Sequence, residues 1–142
     1  MTPPAALDRF LTAQEGVYPG VLDELRRGRK TGHWIWFIFP QIAGLGRSEV
    51  SRFYSIASFE EARAYLAHPV LGARLIECAT IVAAMPGSTA IEIFGGIDAM
   101  KVRSSMTLFH RVAPDEPVFR AVLDGFYDGA ADEATDSLLE RR

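Results

Sequence analysis

The sequence predicts an all-α or mainly α fold in a single compact domain spanning residues 1–142. Three observations carry this expectation. Apolar residues recur at three- and four-residue spacing along most of the chain, the period of a helix with one buried face. Proline and glycine fall between those runs, where helices start and stop. No two alternating apolar–polar runs are joined by a short turn, so no hairpin is visible. A length of 142 residues suits one domain, and a 49% hydrophobic composition supplies its core.

Residues 5–14 place Leu7, Phe10 and Leu11 on one helical face, with Pro3 and Pro4 favouring the start and Gly16 the stop. Tyr18-Pro19-Gly20 reads as a punctuator. A helix over 20–28 then turns Val21, Leu22 and Leu25 inward. Its cationic last turn, Arg26 and Arg27, suits the negative end of the helix dipole. The run GHWIWFIFP is continuously apolar, so its period cannot separate helix from strand. With no partner strand in view, it reads as a short helix or irregular turn closed by Pro40. A glycine-bearing loop extends to Ser48. Ser58 with Glu61 three residues later reads as a capping box, opening a helix to about 67 that buries Ala62, Tyr65 and Leu66. His68-Pro69 breaks it, His68 contacting backbone. The next helix, 69–84, has Val70, Leu71, Leu75, Cys78, Ala79 and Val82 on its inner face and ends at Met85-Pro86-Gly87. Ser88 begins a short helix through Phe94, and Gly95-Gly96 turns the chain. Asp98 reads as the cap of a helix over 99–111, closed by His110, whose imidazolium would suit the dipole. Helices over 117–127 and 132–140 complete the chain.

A net charge of −3 argues against a general nucleic-acid-binding surface. No apolar run is long enough to cross a bilayer, and MTPPAALDRF lacks the basic-then-apolar order of a signal peptide. The expectation is a soluble, cytoplasmic protein with no membrane partner. The single cysteine, Cys78, lies in an apolar helical run and reads as a buried small residue. The three histidines lack metal-ligand spacing, so no metal and no cofactor are expected. Oligomeric state is left open.

The most unusual stretch is TGHWIWFIFPQIAGLGRS, residues 31–48. It holds both tryptophans, Trp34 and Trp36, with Arg29 and Lys30 before them and Arg47 behind. Wide π-faces beside fixed positive charge suit a nucleobase and a phosphate. The same strip also suits an ordinary core with a basic lead-in. Gly44 and Gly46 allow close backbone approach to a ligand, though the Gly-Lys-Ser/Thr ending of a phosphate loop is missing. Lys101 and Ser105 fall on one side of their helix. With Ser104-Ser105 in mid-helix, the stretch reads equally as a polar face lining a pocket and as small serines that let helices pack closely.

Three motifs, in order, resemble the DUF1810 family of uncharacterised bacterial proteins: GHWIWFIFPQIAGLGRS, FYSIASFEEARAYLAHPVLGARLIE and IFGGIDAMKVRSSMTLF. The resemblance covers nearly the whole chain and implies a mainly helical domain. More distantly, Tyr54, Glu61 and HPVLGARL are similar to NADAR/YbiA-like proteins, linked to NAD and ADP-ribose metabolism and to cleavage of N-glycosidic bonds. That likeness implies Glu61 and Asp98 as catalytic carboxylates. The group's tryptophan follows its glutamate, whereas Trp34 and Trp36 precede Glu61. N-glycoside cleavage passes through an oxocarbenium-like ribose, which one carboxylate stabilises while another activates water.

The leading expectation is therefore a hydrolase of ribosylated or ADP-ribosylated substrates. Its small nucleotide-type ligand would sit among His33, Trp34, Trp36, Gln41, Arg47, Lys101 and Ser105. Two other readings use the same residues: a non-catalytic nucleotide or metabolite sensor, and an interaction domain that packs the aromatic stretch on a partner. Glu61 and Asp98 also read as plain helix caps.

Overall fold

The computed structural model describes residues 7–85 and 87–141, so the expected roles of Pro3, Pro4 and Pro86 lie outside the described residues. Within them the chain forms ten helices: α1 (Asp8–Gln14), α2 (Tyr18–Arg26), α3 (Ile35–Ile38), α4 (Glu49–Phe53), α5 (Phe59–Ala67), α6 (Leu71–Ala83), α7 (Ala90–Phe94), α8 (Gly96–Val112), α9 (Pro117–Phe126) and α10 (Glu133–Glu140). No strand occurs among the described residues, apart from one isolated parallel bridge between Ile42 and Ile56. The mainly helical expectation holds.

The longest helix, α8, is the centre of the packing. It meets α5, α7, α9 and α10, while α6 covers α9, α5 and α2. An unbroken run from Ser104 to Phe109 is buried, which only a helix enclosed on several sides can show. This explains the small residues in its middle. Ser104, Ser105 and Thr107 are all buried and let neighbouring helices approach. Tyr65 of α5 and Phe109 of α8 pack as tilted rings with centroids 5.5 Å apart, and Phe109 continues to Phe119 of α9 at 5.9 Å. Gly72 makes the α5–α6 turn possible, because a Cβ there would fall on the carbonyl of Leu66. His68 serves that turn as expected, its Nδ1 accepting from the Val70 and Leu71 amides at 3.1 and 3.2 Å.

Several local expectations are corrected. Tyr18-Pro19-Gly20 is the first turn of α2 rather than a break, since proline needs no intrahelical partner at that position. Helix α4 fills a stretch that had no expected element; Ser48 caps it by accepting from the Ser51 amide at 3.1 Å. Asp98 is not an N-cap. Gly95, at φ 82°, both ends α7 and caps α8, which places Asp98 inside the first turn. The reciprocal capping box lies at Thr89 and Glu92. Ser58 does accept from the Glu61 amide at 3.1 Å, but the Glu61 carboxylate reaches the Ala57 amide instead. The His110 imidazole is held below its ordinary pKa by burial and by Arg111 and Arg120, so the expected cationic form at the helix end is disfavoured. No single helix among the described residues is long and apolar enough to cross a membrane.

Candidate functional site

The chain leaves α3 through Phe39 and Pro40 and makes a loop that returns through α4. The loop is closed at its base by the Ile42–Ile56 bridge. The Ile56 amide donates to the Gln41 carbonyl and the Ala43 amide to the Ile56 carbonyl, both at 2.8 Å, between two fully buried isoleucine side chains. Gly46 lets α4 lie against the loop, because a Cβ there would collide with the Ser51 side chain. From α1, Arg9 reaches across to the returning segment and donates to the carbonyls of Phe53 and Ser55 at 2.8 and 2.9 Å. A cavity of about 290 Å³ opens inside this frame. Trp36, Gln41, Gly44, Gly46, Arg47, Ser51, Arg52, Tyr54 and Ser55 line it.

A second cleft of about 310 Å³ adjoins the first and shares Gln41, Gly46 and Ser51 with it. It extends to Leu45, Ile97, Met100, Lys101, Ser104, Asp132 and Ala134. Trp36 stands beside the first cavity, with the Lys101 ammonium 4.8 Å from its ring centroid. The Trp36 indole N–H is shielded from solvent and has no acceptor among the described residues.

The chain matches the family described as "Protein of unknown function (DUF1810)" over residues 4–139. It belongs to the DUF1810 family. This DUF1810 chain is similar to the conserved hypothetical protein Rv1873 from Mycobacterium tuberculosis, known from a crystal structure at 1.38 Å. The TM-score is 0.95 and the identity 48%, over 97% of this chain and 99% of that one. None of the curated proteins matches. Neither finding extends to the NADAR/YbiA-like group.

Within this DUF1810 fold the residues singled out by sequence separate into four places. Trp36, Gln41 and Arg47 line the first cavity, and Lys101 joins Gln41 at the second cleft. His33 and Trp34 line a different cleft, with Glu24 and Phe37. There Glu24 organises the chain: its Oε1 accepts from the amides of Thr31 and Gly32 at 2.6 and 2.7 Å and from the Trp34 indole at 3.0 Å. Burial raises the Glu24 carboxyl pKa, but those hydrogen bonds outweigh it and hold the group below its ordinary value. Ser105 is fully buried and its hydroxyl has no partner among the described residues, so it packs the helix interior.

The two carboxylates are each engaged elsewhere. Asp98 lies between Lys30 at 2.7 Å and Lys101 at 3.3 Å. Lys30, part of the expected basic lead-in, is thereby drawn inward, 5.2 Å from the Trp34 ring. Glu61 accepts from Arg9 at 3.1 Å and from the Ala57 amide at 3.0 Å. Neither carboxylate lines either of the two adjoining cavities.

Sequence reasoning missed Ser51, Arg52 and Ser55 as lining residues, Arg9 as the tie across the loop, and Asp132. The signal for the first group was present. Ser48-Glu49-Val50-Ser51 carries a serine cap and an acidic first turn, and a helix there puts Ser51 and Arg52 beside the glycine loop. Arg9 reaches the Phe53 carbonyl 44 residues away, which no local pattern announces; Asp132 caps α10 locally through Thr135, but its bond with Ser104 spans 28 residues.

Proposed function

We propose that this DUF1810 protein is a binding module for a small nucleotide-type ligand, with the phosphate end of the ligand in the cavity beside Trp36. One observation carries the reading. Among the described residues, Arg47 and Arg52 are the only lining side chains with a full charge, both positive, and neither has an ion-pair partner. In a chain of net charge −3 such a pair marks a local anion site. Guanidinium groups bind phosphate through charge-assisted, often paired hydrogen bonds. Ser51 and the Gln41 amide add neutral donors around the same space, while the Ser55 hydroxyl is held by the Arg52 carbonyl at 2.8 Å. The binding reading is favoured over N-glycosidic hydrolysis because no carboxylate among the described residues lines this cavity and Glu61 already holds two donors.

The test is calorimetric titration with pyrophosphate, ribose 5-phosphate, AMP, ADP-ribose and NAD, with chromatography of each mixture. The expected result is saturable binding that falls about tenfold or more in an Arg47→Ala/Arg52→Ala variant, with no released base. Absence of binding across the panel would overturn the module. Release of base or nicotinamide, lost in a folded Glu61→Gln variant, would install the hydrolase reading in its place.

A further inference from the structure

We infer that the cleft adjoining the phosphate cavity is a base subsite, and that Asp132 makes it select a purine whose pairing edge donates hydrogen bonds, a guanine rather than an adenine. The inference rests on the proposed function and names the ligand class of that same site. Continuity is the first argument. Gln41, Gly46 and Ser51 line both spaces, so a molecule anchored at Arg47 and Arg52 reaches the cleft directly. The walls are the second. Ile97 and Met100 on α8 are 75% and 71% exposed, large apolar groups left to water at the mouth of the cleft. A flat base laid on them removes that surface from solvent.

The third argument is the state of Asp132. Its Oδ2 accepts from the Thr135 amide at 3.2 Å, the Thr135 hydroxyl at 2.5 Å and the Ser104 hydroxyl at 2.9 Å. Its own amide donates to the Thr107 hydroxyl at 2.9 Å. The carboxylate is thus clamped through one oxygen, while Oδ1 takes no hydrogen bond among the described residues. Lys101, the cation in the same cleft, is engaged by Asp98 at 3.3 Å and stands over Trp36, so it does not neutralise Asp132 by contact. A fixed acceptor with a free oxygen recognises adjacent N–H donors at little entropic cost. Guanine offers N1–H beside an exocyclic amine. Adenine places a lone pair at N1, which would face the carboxylate oxygen.

The deciding experiment titrates ribose 5-phosphate, GMP, IMP and AMP into the wild type and into Asp132→Asn and Met100→Ala variants. In the wild type GMP is expected to bind about tenfold or more tighter than AMP, with IMP between them, since a hydrogen-bonded edge discriminates on that scale. The Asp132→Asn side chain keeps an oxygen for Ser104 and Thr135 and presents an amide N–H₂ where the free oxygen was. The order is therefore expected to reverse towards AMP, which general destabilisation cannot produce. Met100→Ala is expected to weaken all three nucleotides severalfold and leave ribose 5-phosphate unchanged. Equal binding of GMP and AMP, or tighter AMP, in the wild type would overturn the inference while ribose 5-phosphate binding leaves the phosphate cavity standing. Failure of every ligand would overturn the proposed function itself. Unchanged nucleotide affinity in Met100→Ala, with a loss of self-association in sedimentation, would assign the apolar wall to a second copy of the chain instead.

Discussion

Replacing Glu61 tests whether this carboxylate is a structural tie. Its side chain is 7% exposed and that of its partner Arg9 17%. One carboxylate oxygen accepts from both Arg9 and the Ala57 amide, and Arg9 in turn holds the carbonyls of Phe53 and Ser55 at the wall of the candidate site. Glu61→Gln keeps an acceptor in place and removes the charge. A hydrogen bond to an ionised group contributes about 1 kcal/mol more than a neutral one, so a loss of roughly 1–2 kcal/mol is expected. Glu61→Ala removes the carboxylate that accepts from the Ala57 amide and from one arm of Arg9. Breaking a buried pair costs about 3–5 kcal/mol. Because Arg9 retains two carbonyls and some water, about 2–4 kcal/mol is expected here. Urea unfolding at constant m-value measures both, and each kcal/mol lowers the Tm of a chain this size by about 3–4 °C. An Arg9→Met/Glu61→Ala cycle should show a coupling of about 1–3 kcal/mol. A Glu61→Gln variant within about 0.5 kcal/mol of wild type, with no coupling to Arg9, would refute the reasoning.

Two further perturbations probe other parts of the fold. Gly72→Ala raises helix propensity but drives a Cβ into the Leu66 carbonyl, so it should destabilise by roughly 2 kcal/mol or more, whereas Gly125→Ala in α9 meets nothing within 4 Å and should stabilise by about 0.5–1 kcal/mol. Equal urea midpoints for the two variants would contradict the packing described. Burial pushes the Cys78 thiol from 9.0 up to about 12 and raises the Tyr65 and Tyr127 phenols as well. Between those values the unfolded chain has released a proton that the folded chain retains, so the contribution of these groups to stability should be level below pH 9 and fall as pH rises from 9 towards 12. Thermal melts across that range check the sign, and a Tm that holds steady to pH 11 would speak against it.

Most of the helical order was legible because a buried helical face repeats every three to four residues, and α5, α6, α8, α9 and α10 each carry that repeat. Elements shorter than two turns show too little period. This is why α4 was missed and why the 32–40 run stayed ambiguous until α3 appeared within it. Half of the candidate site was legible for a similar reason. Trp36, Gln41 and Arg47 lie in one stretch with the glycines that shape it, and local composition marks them together. That Glu61 is held by Arg9 and Asp98 by Lys30 was not legible, because a carboxylate's role depends on which cation or amide stands opposite it.

The sequence alone, then, determined the helical class, the family and the loop around which the cavity forms, since each is written in residues close together along the chain. Only the tertiary structure decided which charges are satisfied and which remain free. Arg9 meets Glu61, Lys30 meets Asp98 and Ser104 meets Asp132 through packing between segments distant in sequence, while Arg47, Arg52 and one oxygen of Asp132 are left without such partners among the described residues. The reason is physical. Helix propensity and apolar period act within a turn or two, whereas the electrostatic state of a side chain is set by whatever the fold brings within about 4 Å of it.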